Sequence, residues 1–186
     1  MITEWKKQLP LWATLFRMAA VPVIMLLMLA QPSYWNWISA IIFILASITD
    51  WLDGYWARKY HAETNLGKLL DPIADKFLVS SVLILLIPLG RIEALLVLLL
   101  LNRDILINGL RSFAAAQGKV MGAGSLGKWK TAVQMVAMPL ILVYENIWSL
   151  PVREIGYWGL WLSLGLSLIS GMQYTIEYMK AKPGAI

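Results

Sequence analysis

From Asp50 to Lys76 the chain reads DWLDGYWARKYHAETNLGKLLDPIADK. Asp50, Asp53, Gly54 and Ala57 stand at i, i+3, i+4 and i+7, which on a helix puts two carboxylates and two small residues on one face. Asp71 and Asp75 lie one helical turn apart in the segment that follows. A short polar connection between the two segments predicts antiparallel neighbours, so that four carboxylates converge at one depth.

The surroundings of this stretch are strongly apolar. Of 186 residues, 59% are hydrophobic and 15% charged, too few polar residues to coat a water-soluble domain. An apolar helix needs roughly 20 residues to cross a bilayer. The apolar runs predict six crossings: Leu11 to Ala30, Trp37 to Ala57, Leu69 to Leu89, Glu93 to Phe113, Lys130 to Tyr144 and Ile155 to Tyr178. Residues 1–9 read as a short surface segment ahead of them, because Arg17 interrupts the first apolar stretch and no cleavage site follows. The fold expected is all-α and polytopic, one membrane domain over residues 1–186.

With these spans, Lys6, Lys7, Arg58, Lys59, Lys68, Lys119, Lys128, Lys180 and Lys182 fall on one side, and Arg91 and Arg153 on the other. Both termini and the carboxylate cluster are therefore expected at the cytoplasmic face of the cell's inner membrane. Trp35, Trp37, Trp148 and Trp158 gather near the opposite ends, where an aromatic belt belongs. The third span is unusual, since Lys68, Asp71, Asp75 and Lys76 crowd its first turns and must face protein or water. In the sixth, Ser163, Ser167 and Gly171 recur every four residues, a stripe for close helix approach either within the monomer or across a homodimer.

Each Asp near the centre of a membrane helix costs roughly 2.5 to 3.5 kcal/mol even on the lenient insertion scale. Four together add mutual repulsion, and Arg58 alone is too little to balance them. Divalent cations balance them well. The chain has no cysteine and a single histidine, His61, so thiolate chemistry and a zinc site are poorly served. Carboxylate oxygens suit Mg2+ or Mn2+, and two such ions can bridge a pyrophosphate and stabilise an in-line phosphoryl displacement. Gly54, Ala57 and Gly67 let backbone and ligand approach the carboxylates, although simple helix packing explains small residues equally well. A proton or cation pathway is the competing use of four membrane carboxylates.

The spacing DxxDGxxAR, eight residues, GxxxDxxxD is that of the CDP-alcohol phosphatidyltransferase signature, and the chain resembles that family at Asp50, Asp53, Gly54, Ala57, Arg58, Gly67, Asp71 and Asp75. The resemblance implies that Asp50, Asp53 and Asp71 ligate two metal ions. Asp75 would be a further ligand or the general base that takes the proton from an acceptor hydroxyl as it attacks CDP-diacylglycerol and expels CMP. It also implies that Asp50, Asp53, Gly54, Ala57, Arg58 and Gly67, with Thr14, line the cytidine diphosphate pocket. In PLWATLFR, Thr14 and Arg17 match the family and Leu11 departs from its usual polar residue.

Arg103 and Arg111 are eight apart on the fourth span, and Lys128 and Lys130 open the fifth. Positive-inside flanking explains Lys119 and Lys128, but Arg103 lies inside an apolar run beside Asp104, where it needs a partner. That partner is either a salt bridge or a bound phosphate. The stretches NRDILINGLRSF, SLGKWKTAVQM and SGMQYTIEY are similar to those of the family's glycerol-3-phosphate-using members. By that likeness Arg103, Arg111, Lys128 and Lys130 bind the acceptor phosphate, and the partners are CDP-diacylglycerol, glycerol 3-phosphate and membrane lipids, with no nucleic acid. Inositol phosphate, phosphatidylglycerol and serine are the alternative acceptors, and a cation or proton transporter is the alternative of a different class.

Other signals are set aside. GAGSLGKW from Gly122 to Trp129 approaches a phosphate-binding loop, but Trp129 stands where Ser or Thr would meet Mg2+ and no strand precedes it. Its glycines read as the turn between the fourth and fifth spans, and His61 as a solvated loop residue. Pro72 either opens the third helix or kinks it.

Overall fold

The computed structural model describes residues 4–30, 34–60, 65–117, 125–146 and 149–180, with the side chains of residues 4–11, 50–60, 65–72, 75, 125 and 180 outside that description. Among the described residues there are six helices and no extended strand: α1 Glu4–Leu29, α2 Tyr34–Tyr60, α3 Asn65–Leu86, α4 Ala94–Ala116, α5 Ser125–Val143 and α6 Val152–Lys180. Each corresponds to one expected span. The start of α1 differs most, since helix continues back to Glu4 where a separate surface segment was expected. Pro72 does not open α3, which begins a full turn and more earlier at Asn65. His61, Lys119, Gly122, Gly124, Trp148 and Lys182 lie outside the described residues.

The helices pack around one shared core. α1 lies against α2 and α3, α5 and α6 form the most extensive pair, and α2 joins α5 while α4 joins α6. The core is aliphatic, built on Ile24, Phe43, Leu83, Leu96, Met138 and Leu160, all buried. Hydroxyls within the apolar helices turn inward to their own backbone: Ser47 Oγ donates to the carbonyl of Phe43 at 2.8 Å and Thr49 Oγ1 to that of Leu45 at 2.6 Å. The outer surface is apolar too, with Trp12, Leu26, Ile105, Leu106, Trp158 and Met179 each at least 64% exposed. Among the described residues two helices are long and apolar enough to cross a membrane, Trp12–Leu29 with mean hydropathy 1.9 and Val152–Met179 with 1.3, while Tyr34–Thr49 and Lys76–Leu86 are shorter apolar stretches.

The α5–α6 pair is close because α6 presents small residues to it. A Cβ at Gly156 would lie 2.7 Å from the Ile141 side chain and 3.0 Å from its backbone nitrogen, so nothing larger than hydrogen fits. Ser163, fully buried, donates to the Lys130 carbonyl at 3.2 Å. Further along, Ser167 and Gly171 meet Arg103, whose Nε donates to the Ser167 carbonyl at 2.7 Å and would lie 3.4 Å from a Cβ at Gly171. The stripe is thus used inside the monomer.

One end of the bundle gathers the starts of α2, α4 and α6 with the ends of α3 and α5. There Arg91 donates to the carbonyls of Ile141 and Leu142, which end α5, and to Asn36 Oδ1 at 2.7 Å. Tyr144 follows α5 at φ 58, and the guanidinium carbons of Arg91 and Arg153 each lie 4.6 Å from its ring centre. Trp37 donates to Glu145 and Tyr157 to Glu93. Burial lowers the pKa of Arg91 from its ordinary value, with Tyr144 and Glu145 opposing, and an arginine stays charged regardless.

Candidate active site

The opposite end holds the residues marked out for chemistry. Asp50, Asp53, Gly54, Ala57 and Arg58 lie in the last three turns of α2, and Gly67, Asp71 and Asp75 in the first three of α3. Both pairs are helical. At 1.5 Å per residue, Asp53 and Asp71 are each roughly 10 Å from the connection between the helices, and Asp50 and Asp75 roughly 15 Å. The two pairs therefore keep matched positions along their helices. The side chains of all eight lie outside the described residues, as does any metal site they form. Among the described residues no group of three metal-ligating side chains occurs. Thr14 and Arg17, one turn apart on α1, are both buried.

The basic half is described in full. Lys76 from α3, Arg103, Asp104 and Arg111 from α4, and Lys128 and Lys130 from α5 line a cavity of about 410 Å3. All four predicted basic residues reach it. The spacing Asp104, Asn108, Arg111 is i, i+4, i+7, so one face of α4 turns to the cavity and Asn108 joins the lining.

At its centre is a carboxylate. Asp104 Oδ1 accepts from Lys130 Nζ at 2.5 Å and Arg103 Nη1 at 3.1 Å, and Asp104 Oδ2 from Lys76 Nζ at 3.1 Å. The salt bridge considered for Arg103 is thus present, and it includes two lysines besides. Arg111 behaves differently: its guanidinium lies 5.4 Å from the ring centre of Tyr174, and its buried Nε has no hydrogen-bond partner. Among the described lining residues five cations and one carboxylate face the cavity, a formal excess of four positive charges. An anion with several acceptor oxygens is the ligand such a lining suits.

Lys76 and Asn108 were not among the sequence candidates for this cavity. Asn108 was legible from its spacing on α4. Lys76 was not, because its pairing with Asp104 bridges 28 positions.

The helix that carries Asp71 and Asp75 also supplies Lys76 to the cationic cavity, and the sequence matches the family model for CDP-alcohol phosphatidyltransferase over residues 7–169. The chain belongs to the CDP-alcohol phosphatidyltransferase family. It is similar to the CDP-diacylglycerol--glycerol-3-phosphate 3-phosphatidyltransferase of Bacillus subtilis, with 38% identity over 179 residues covering 89% of this chain and 92% of the relative. The protein of the same name from Rickettsia bellii is 39% identical over 171 residues, covering 90% and 93%. An Arabidopsis thaliana enzyme, CDP-diacylglycerol--glycerol-3-phosphate 3-phosphatidyltransferase 2, is 38% identical over 180 residues, covering 89% of this chain and 77% of its own length.

Proposed function

We propose that this protein transfers the phosphatidyl group of CDP-diacylglycerol to glycerol 3-phosphate, giving phosphatidylglycerophosphate and CMP. The observation that carries the choice of acceptor is the cavity of Lys76, Arg103, Arg111, Lys128 and Lys130, with a buried guanidinium nitrogen of Arg111 still lacking an acceptor. A phosphate monoester supplies acceptor oxygens and negative charge in one small group. Serine, being zwitterionic, would leave most of these cations unmatched. The relatives above carry the same activity in their names, at identities of 38–39% over about nine-tenths of this chain.

In this reading the chain works as one domain over residues 1–186 in the cytoplasmic membrane, with six crossings and the site facing the cytoplasm. The apolar outer surface and the charge asymmetry of the loops support it. Asp50, Asp53, Asp71 and Asp75 hold two divalent ions, Mg2+ or Mn2+. Four carboxylates without a thiol or imidazole are the donor set of a hard cation. When bound, such ions would supply charge neutralisation on the pyrophosphate. Thr14, Gly54, Ala57, Arg58 and Gly67 contact the cytidine diphosphate portion. Arg103, Arg111, Lys128 and Lys130 hold the acceptor phosphate and so aim its hydroxyl at the phosphorus next to the lipid. Asp75 takes the hydroxyl proton as the new P–O bond forms and the bond to CMP breaks.

CMP release by purified protein in detergent, with CDP-diacylglycerol, Mg2+ and each of glycerol 3-phosphate, inositol phosphate, phosphatidylglycerol and serine, tests this. Release with glycerol 3-phosphate alone is expected. Release with serine or phosphatidylglycerol instead overturns the reading of the basic cavity. No release with any acceptor, together with ion flux in sealed vesicles lacking nucleotide, overturns the enzyme.

A further inference from the structure

Asp104 is an anion at the centre of a cavity suited to anions, so it needs a reason of its own. It is mostly buried, as are two of its partners, with side-chain exposures of 13% for Asp104, 13% for Arg103 and 4% for Lys130; Lys76 is 46% exposed. Three cations gathered around one point repel one another, and burial strengthens that repulsion. Long lysine side chains relieve it by swinging their ammonium groups toward water, which Lys76 is free to do by its exposure. Arg103 is anchored independently, through Nε to the Ser167 carbonyl. Both lysines form ion pairs with Asp104. Lys76 also directly follows Asp75 on α3, while Asp104 is on α4 and Lys130 on α5. Two of the three ion pairs, those of Lys76 and Lys130, therefore join α3, which carries Asp71 and Asp75, through α4 to α5.

We infer that Asp104 is a positioning residue: it holds Lys76 and Lys130 at the cavity, Lys76 being a further contact of the acceptor phosphate. This rests on the functional reading above. The opposite reading is equally concrete. If Asp104 competes with the acceptor for the same cations, removing its charge would tighten anion binding.

The two readings differ in sign, and inorganic phosphate reads that sign without any turnover. Binding of inorganic phosphate to the purified full chain is measured by titration calorimetry for wild type, Asp104→Asn and Asp104→Glu, alongside the KM for glycerol 3-phosphate and for CDP-diacylglycerol. Asp104→Asn is expected to weaken phosphate binding and raise the acceptor KM by about tenfold or more, the scale of losing hydrogen bonds between charged groups. The KM for CDP-diacylglycerol should stay in place, and Asp104→Glu should recover part of the loss. A shared fall in folding alone would not separate the two substrates in this way. Phosphate binding that is unchanged or tighter in Asp104→Asn overturns the inference. If Asp104→Asn fails to fold, Lys76→Gln at its exposed position decides the matter: weaker phosphate binding upholds the inference and unchanged binding overturns it. Wild-type protein that binds phosphate but releases no CMP with glycerol 3-phosphate overturns the functional reading and leaves the binding comparison intact.

Discussion

Arg91 and Arg111 are the same side chain at opposite ends of one bundle, and their surroundings differ. Arg91 gives its donors to two carbonyls at the end of α5 and to Asn36. Those carbonyls have no partner within their own helix, so the guanidinium serves as a cap and finishes the structure. Arg111 keeps a buried Nε without a partner, beside a cavity of about 410 Å3 whose lining is strongly cationic. Arg91 is satisfied within the protein, and Arg111 has a donor left over. An unsatisfied buried donor is costly, so its persistence next to a cavity points to a ligand that completes it.

The sharpest way to break this contrast is at the acidic signature. Asp75→Asn is expected to lower kcat by about 10^2- to 10^4-fold, the worth of a general base, while the thermal midpoint holds. CMP release and a melting curve on the same preparation check both halves. Retained turnover would leave the carboxylates without a catalytic part.

The next largest effect is expected at the basic cavity. Arg103→Ala and Lys130→Ala should each raise the KM for glycerol 3-phosphate by about 10- to 100-fold, with a smaller change for CDP-diacylglycerol. Unchanged acceptor kinetics in both would show that Asp104, and not a substrate, is what these cations are for. Because Lys130 is nearly fully buried, its variant also loses stability, and Arg103→Ala is the cleaner kinetic probe.

How far the sequence anticipated this contrast depends on the range of the interactions. The six helices were legible because apolar run length is a local property, whereas the grouping of Arg103, Arg111, Lys128 and Lys130 in one site was implied by the likeness to the family's glycerol-3-phosphate-using members. The start of α1 was misread as a surface segment of residues 1–9, whereas a helix can run out of an apolar layer into water without breaking. The three-cation arrangement on Asp104 was beyond reach, since Lys76 and Lys130 lie 28 and 26 positions from it. The stripe Ser163, Ser167, Gly171 announced close packing without naming its partner. That partner is the Lys130 backbone on one turn and the Arg103 side chain on the next.

At the closed end the expected cost is to stability alone. Arg91→Met should lower unfolding free energy by about 1.5–3 kcal/mol, the range for hydrogen bonds to a charged group, read as an earlier thermal midpoint in detergent. The acceptor KM should stay where it was. A shift in KM comparable to that of Arg103→Ala would mean that the two ends are coupled through α4 and α5, and that the capping arginine belongs to the site after all.

The smallest effect separates the two arginines that share Tyr144. Arg91 and Arg153 are equally near its ring, at 4.6 Å, but Arg153 is exposed at the start of α6. The ring contact at an exposed position is worth about 0.5–1 kcal/mol. Arg153→Ala should therefore cost no more than that, and the difference from Arg91→Met should equal what the carbonyls of Ile141 and Leu142 and the Asn36 amide contribute. Equal losses in the two variants would assign the stabilisation to the tyrosine, whose backbone at φ 58 then needs the guanidinium pair to hold it. A larger loss in Arg91→Met would assign it to the end of α5, where the sequence places an arginine from another helix connection in the role a glycine cap usually fills.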